Sequence, residues 1–281
     1  MKVTASILNI SILLIICSLN LCAHGDLDKR ITALSDLIMQ FPDSAALYQS
    51  RGRLYLQHEE FELSLDDLEQ AIQLGYYNIN LLLDKAEAHF ELKENTRGLK
   101  LLDQVLNISP HHIEALKMKG RVYMGKKKYK AAARCFESVI DNANELFPQN
   151  FIEAASAWQN VNSKKGKKKA KSLLNLCLES IGPFLSIYNQ LLDLALLDND
   201  YNEAIKYQTK ILEQSKRKEF GYYRRAVIHI EYMDYEKAIQ DLNHAKKEIQ
   251  SLKFKYQQLP AIKKLSEQIN MAILSINKQV N

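Results

Sequence analysis

Two short runs of lysine are the most concentrated chemical feature of this sequence. The first run comprises Lys126, Lys127, Lys128 and Lys130, and the second comprises Lys164, Lys165, Lys167, Lys168, Lys169 and Lys171. Without these residues the chain, whose net charge is +5, would be acidic. Ammonium groups at this density attract anionic lipid headgroups and acidic polymers, so the two runs are a candidate binding surface.

The other reactive side chains do not occur at the spacings that catalysis or metal binding requires. The sequence contains no HExxH, CxxC, GxSxG, GxxxxGK(S/T) or GxGxxG motif. His111 and His112 have no suitably spaced carboxylate or thiol near them. The adjacent acids of the pairs Glu59-Glu60 and Asp66-Asp67 point to different faces of a helix. We therefore predict that the protein is not an enzyme and holds no metal or cofactor.

Residues 1–25 have the layout of a secretory signal peptide. Lys2 precedes an almost unbroken apolar stretch from Ile7 to Leu21, and Ala23-His24-Gly25 places small residues before a possible cleavage site at Asp26. A membrane-spanning helix is an alternative, but it requires about 20 apolar residues. Lipid attachment to Cys22 is a second, less favoured alternative. We predict an exported protein of a bacterial periplasm or cell envelope.

Cleavage before Asp26 would leave two cysteines, Cys135 and Cys177. Two cysteines are too few for the disulfide framework of a small exported domain. A single bridge between them and a pair of buried free thiols are both compatible with the sequence.

A period of 34 residues organises the rest of the chain. Its columns are Gly52, Ala86 and Gly120; Tyr55, His89 and Tyr123; Leu68, Leu102 and Phe136; Ala71, Val105 and Val139; and, further along, Tyr188 and Tyr222, Tyr201 and Tyr235, and Ala204 and Ala238. Within each unit the apolar residues recur at helical spacing, as Leu65, Leu68 and Ile72 do. A small residue on the first helix allows the second helix to approach, and the large side chains fill the space between them. This pattern predicts stacked helix-turn-helix units.

The columns resemble the tetratricopeptide repeat (TPR), a family of helix-turn-helix units. Its first helix, helix A, carries an aromatic, a small and a second aromatic residue, and its second helix, helix B, carries an aromatic residue and an alanine. The segments Tyr48–Ala71, Gly120–Phe136 and Tyr222–Ala245 match this pattern best. The resemblance implies an all-α fold, a right-handed α-solenoid with a capping helix at each end.

The register divides the chain after the signal peptide into three parts. Residues 26–44 are expected to form an N-terminal capping helix that corresponds to half a repeat. Residues 45–252 contain six repeats, and residues 253–281, where Pro260 interrupts the pattern, are expected to form a C-terminal capping helix.

The fourth repeat contains four additional residues. Ala154 keeps the 34-residue spacing from Gly120, whereas Leu174 lies 38 residues after Phe136. We place the additional residues in the turn between the two helices, as a lysine-rich insertion that carries the second run. Consecutive turns of a solenoid stack along one edge, so we expect the two runs to merge into a single basic edge.

The resemblance also implies a binding groove lined by residues of helix A. In TPR proteins the second, fifth, ninth, twelfth and thirteenth residues of that helix face a concave surface. The corresponding residues here include Gln49, Arg53, Leu83, Glu87, Phe90, Lys117, Arg121, Met124, Phe220, Tyr223 and Val227. Several are large and apolar although the repeat pattern does not require it, which is typical of a surface that docks a peptide or helix. Packing against neighbouring helices or against the C-terminal cap is the alternative.

The sequence therefore predicts an exported, non-enzymatic scaffold that binds another protein in its groove. Binding of an anionic surface through the lysines is the alternative function. Nucleic acid is not an expected partner, because the repeat columns account for most of the 14 tyrosines and leave no separate stacking surface.

Overall fold

The computed structural model of the chain describes residues 27–280, and the predicted signal peptide lies outside them. The described residues form fifteen helices and no strand, which confirms the all-α prediction. They divide into two compact units, one that ends at Asn142 and one that begins at Ala143. Between residues 27 and 280, no helix combines the length and the apolar composition needed to cross a membrane.

The first unit consists of antiparallel helix pairs. Its helices are α1 (Leu27–Gln40), α2 (Ala45–Gln57), α3 (Phe61–Gln73), α4 (Ile79–Glu91), α5 (Asn95–Ile108), α6 (Ile113–Gly125) and α7 (Tyr129–Asn142). Helices α2, α4 and α6 are the A helices, and each packs against the B helix that follows it. Each A helix also contacts the helix that precedes it, so the pairs form a stack.

The second unit repeats this arrangement and ends in an additional helix. Its helices are α8 (Pro148–Asn160), α9 (Lys164–Ser180), α10 (Leu185–Leu197), α11 (Tyr201–Gln214), α12 (Lys218–Glu231), α13 (Tyr235–Ser251), α14 (Phe254–Gln257) and α15 (Pro260–Val280). The pairs are α8 with α9, α10 with α11, and α12 with α13. Helix α15 packs on α13 and contributes Ile262, Leu265 and Ile269 to a buried cluster shared with α12 and α13.

In the helix pairs of the first unit, a glycine on one helix faces a large side chain on the other. A Cβ atom added at Gly120 of α6 would lie 2.7 Å from the ring of Phe136 on α7. In the preceding pair the roles are reversed, because a Cβ at Gly98 of α5 would lie 2.2 Å from the ring of Phe90 on α4. Side chains in a protein interior do not approach so closely, so these contacts require glycine.

Three residues join each A helix to its B helix, and the middle one is left-handed. The backbone angle φ lies between 49° and 63° at these middle residues, which are Glu59, Lys93, Lys127, Asn162, Asn199 and Met233. In five of the turns the next residue donates its amide hydrogen bond back into helix A, as Glu60 does to the carbonyl oxygen of Tyr55 at 2.9 Å. This bond ends the helix in the Schellman arrangement. A turn of constant length keeps successive pairs in register.

The fourth pair corrects the sequence analysis. The turn between α8 and α9 has three residues like the others, so the four additional residues lie in the helices. Helix α9 has 17 residues where α7 has 14, and α8 extends one residue further beyond Ala154 than α6 does beyond Gly120. Ser163 caps α9 by accepting a hydrogen bond from the amide of Gly166 at 3.0 Å. Gly166 allows the added helical turn to approach α8, because a Cβ there would lie 2.5 Å from the carbonyl oxygen of Trp158. The second lysine run is therefore helical.

Two arginines each connect three successive helices. Arg51 on α2 donates paired hydrogen bonds to Asp67 on α3, at 2.7 and 2.8 Å, and a third to Ser35 on α1 at 2.9 Å. The same set of contacts recurs in the second unit with Arg225, Asp241 and Thr209. In both sets the partners lie 16 residues before and after the arginine. The repeat spacing thus positions a bidentate ion pair between the helices of one pair.

We expect Gly120→Ala to lower the free energy of unfolding by about 1–3 kcal/mol, because the added methyl group overlaps the Phe136 ring. Gly125→Ala on the same helix is the matched control, since nothing lies within 4 Å of its Cβ position. Alanine favours a helix over glycine by about 1 kcal/mol, so this variant should be as stable as the wild type or more stable. Urea denaturation followed by circular dichroism measures both, and equal stability of the two variants would contradict this packing.

Candidate functional site

The first unit contains a groove between its second and third A helices, which we call the α4–α6 groove. Its volume is about 710 Å³. The lining residues are Arg53, Asn80, Leu83, Asp84, Glu87, Phe90, Glu91, Lys93, Asn95, His112, Glu114, Met118, Arg121, Val122 and Gly125. The lining combines apolar side chains with charged groups of both signs.

Five of the predicted groove residues lie in this lining: Arg53, Leu83, Glu87, Phe90 and Arg121. Gln49 instead borders a smaller neighbouring cavity of about 400 Å³. Lys117 and Met124 are half-buried on α6 but do not line the groove. The face of α6 towards the groove carries Met118 and Val122. The positions that we predicted on α6 from the family are therefore offset by about one residue from those that line the groove.

Phe90 has two roles in the structure. Its ring covers Gly98 and thereby joins α4 to α5, and it also lines the groove. From the sequence we expected this side chain to be free of the repeat packing, and the structure corrects that expectation.

The groove contains a buried carboxylate that is not among the predicted groove residues. Asp84 is 6% exposed. Its Oδ1 accepts hydrogen bonds from Nη2 and Nε of Arg53 at 3.2 and 3.4 Å, whereas its Oδ2 has no hydrogen-bond partner. Burial raises the pKa of Asp84, and the charge of Arg53 opposes this effect. The sequence does contain a signal for a buried acid here, because Asp84 directly follows three leucines, Leu81 to Leu83, on a helix that the repeat pattern places in the interior.

Three more acids lie beside Asp84 in the groove, namely Glu87, Glu91 and Glu114. Burial raises the pKa of Glu87, and the negative charges of the other three acids raise it further. Arg53 lowers the pKa of Glu87 but does not cancel this effect. The potential around Glu87 is therefore negative, although arginines also line the groove.

Two of the three groove residues predicted in the second unit, Phe220 and Tyr223, are used for internal packing. Phe220 and Tyr223 of α12 pack against the buried cluster that contains Ile262 and Leu265 of α15. Val227 is half-buried one helical turn after Tyr223. The apolar residues of α15 recur at helical spacing, and the cluster that they form partly buries the aromatic side chains that we had expected to face a partner.

The second lysine run forms the first two turns of α9. Lys167 and Lys171 form ion pairs with Asp198 and Glu203, the latter at 3.3 Å. A hydrogen bond from Tyr207, together with Lys206 and Lys171, lowers the pKa of Glu203 to about 2. The ion pairs connect α9 to the turn after α10 and to α11.

The remaining lysines of this run differ in their surroundings. Lys169 lies over the ring of Trp158, with 4.1 Å between its Nζ and the ring centroid. Lys164, Lys165 and Lys168 are exposed. The N-terminus of a helix carries a partial positive charge, so these three lysines occupy an electrostatically unfavourable position.

The first lysine run belongs to the first unit, which ends at Asn142. Lys126, Lys127 and Lys128 form the turn between α6 and α7, and Lys130 is in the first turn of α7. All four side chains are exposed. A single basic edge that joins both runs stays a prediction.

The surroundings of the two cysteines disfavour a reactive thiolate. Cys135 and Cys177 are free thiols, and burial raises the pKa of both, which disfavours the reactive thiolate. Among residues 27–280, no three or more histidine, cysteine or acidic side chains are grouped so that they could hold a metal ion.

The comparisons with known proteins agree with the repeat register. The family model described as tetratricopeptide repeat matches residues 185–217, which contain α10 and α11. The TPR repeat-containing protein YpiA of Bacillus subtilis (strain 168) is 25% identical over 189 residues, 67% of this chain. The chain spans 44% of the length of YpiA.

Two solved structures have a similar fold. One is the C-terminal part of a TPR repeat-containing protein from Cytophaga hutchinsonii, with a TM-score of 0.68, 16% identity and coverage of 86% of this chain and 98% of that chain. The other is a tetratricopeptide repeat protein from Parabacteroides merdae ATCC 43184, with a TM-score of 0.53, 19% identity and coverage of 87% and 93%. The family model thus identifies one tetratricopeptide repeat directly, the curated relative supports a TPR-repeat chain, and the solved structures show the same fold as the helix pairs described above.

Proposed function

We propose that this protein is an interaction scaffold whose α4–α6 groove binds an extended peptide segment of another protein. Its similarity to the tetratricopeptide repeat model and to a TPR repeat-containing protein supports a role in protein–protein interaction in general. The observation that supports this particular site is the groove itself, whose volume of about 710 Å³ suits a few side chains of a ligand.

The chemistry of the lining supports a peptide as the ligand. Leu83, Met118 and Val122 supply apolar surface for side chains. Asn80 and Asn95 carry both donor and acceptor groups, which can pair with a peptide main chain. The main chain of the surrounding helices is bonded internally, so recognition depends on these side chains.

We expect Asn80→Trp to weaken peptide binding at least about tenfold, because the indole fills the groove without any change of charge. The probes are peptides selected on the full chain from a random library displayed on phage, and their affinity is measured by fluorescence anisotropy. Asn107→Trp is the matched control, since Asn107 is exposed on α5 outside the lining. Equal binding by the two variants would place the peptide elsewhere.

We also propose that the scaffold works outside the cytoplasm, in a bacterial cell envelope. The leader-like composition of residues 1–25 supports this. Amino-terminal sequencing of the protein recovered from its host tests the proposal. Cleavage predicts a chain that begins at Asp26, and a mature protein that retains Met1 would overturn it.

A second candidate function is attachment to an anionic membrane surface through α9. The supporting observation is the position of Lys164, Lys165 and Lys168, which are exposed at a helix N-terminus that already carries positive charge. An anionic headgroup near this end of the helix would relieve the repulsion.

Changing Lys164, Lys165 and Lys168 together to Gln is expected to weaken binding to vesicles with anionic headgroups about a hundredfold, at about 1 kcal/mol per lysine. The same change should stabilise α9 slightly, because it removes positive charge from the helix N-terminus. A matched variant with Gln at Lys126, Lys127 and Lys128 loses the same charge from a turn and should bind better than the α9 variant. Vesicle co-sedimentation measures both, and equal losses would assign the attraction to net charge alone.

A further inference from the structure

We propose that the α4–α6 groove selects its partner through a lysine or arginine side chain that binds Asp84, and that Arg53 occupies this position until the partner arrives. This inference rests on the proposed function, since it names the chemical class of the peptide that the groove binds.

The carboxylate of Asp84 is incompletely hydrogen-bonded. A buried carboxylate is stable only when it is paired and hydrogen-bonded, and Asp84 uses one of its two oxygens, at 3.2 and 3.4 Å from Arg53. Arg51 and Asp67 in the same unit show a complete pair, in which both carboxylate oxygens accept hydrogen bonds at 2.7 and 2.8 Å. The contact between Arg53 and Asp84 therefore leaves Oδ2 of Asp84 available to accept a hydrogen bond from a ligand.

The side chain of Arg53 is exposed enough to leave Asp84. Its side chain is 52% exposed, against 18% for the side chain of Arg51. Arg53 can move into solvent without leaving a cavity in the core, and this movement uncovers the Asp84 carboxylate. A lysine or arginine of the partner then finds a buried acceptor with two free oxygens.

The charges of the neighbouring side chains favour a cationic ligand. Asp84, Glu87, Glu91 and Glu114 face only Lys93 and Arg121 in the lining once Arg53 has moved away, and this excess of acids attracts a cationic side chain and repels an acidic one. Leu83 and Met118 lie in the same lining and provide apolar contacts beside the charge. Charge complementarity therefore favours a segment of another protein in which a basic residue is flanked by apolar ones.

Selection from a random peptide library displayed on phage, with the full chain as target, tests the class of ligand. We expect a lysine or arginine at one common position of the selected peptides. For one such peptide, Asp84→Asn should weaken binding about tenfold to a hundredfold. A change of the basic residue of the peptide to Gln should cost as much with the wild type and little with Asp84→Asn, because the two changes remove the same contact.

Arg53→Gln tests the displacement. Removal of a competing side chain should strengthen binding of the same peptide about tenfold. Arg121→Gln is the matched control, because it removes the same charge from the same groove without freeing Asp84. Both variants change exposed residues, so they keep the test valid if Asp84→Asn fails to fold.

The possible outcomes separate this inference from the proposed function. Selected peptides without a basic preference, or an equal gain in affinity for Arg53→Gln and Arg121→Gln, would overturn the inference and leave the groove as a peptide site. Self-association of the chain that Asp84→Asn abolishes would show a second copy as the occupant and overturn it too. If no peptide is selected, or if Asn80→Trp leaves all selected peptides bound, the proposed function itself fails.

Discussion

The close approach of the two helices within each pair is the contact on which the rest of the structure depends. Gly120 under Phe136, and Gly98 under Phe90, allow a ring to lie directly on a neighbouring backbone. A turn of three residues with a left-handed middle residue holds the helices at this separation. Because each pair closes in the same way, the next pair is added in the same orientation within its unit, and the groove-facing side of the A helices is left available.

The α4–α6 groove follows from this arrangement, but its chemistry comes from residues that the repeat does not require. Phe90 is held in place by Gly98, so the groove has a rigid apolar wall. Asp84 is buried by the same packing and is left with one unpaired oxygen. A repeat family that shares its packing can therefore differ in its partners, because packing and recognition use different positions of the same helix.

The second unit shows how similar helix pairs acquire a different surface. The aromatic side chains of α12 pack against α15 rather than against a partner. In α9, an additional helical turn brings six lysines to the start of the helix, where two form ion pairs and one lies over Trp158. The two units therefore offer different chemistry, a mixed and partly acidic groove in one and a basic helix end in the other.

The sequence by itself determined the repeat period, the helix class and most helix positions, because these depend on residues a few positions or one repeat apart. It also identified five residues of the groove through the register of helix A. Only the tertiary structure decided that the additional residues extend the two helices, mainly α9, rather than the turn between them, since this depends on the contact between Gly166 and the carbonyl group of Trp158. It likewise decided the internal packing of Phe220 and Tyr223 and the half-used carboxylate of Asp84. Each of these is a contact between particular atoms of different helices, and a pattern of residue types does not specify such a contact.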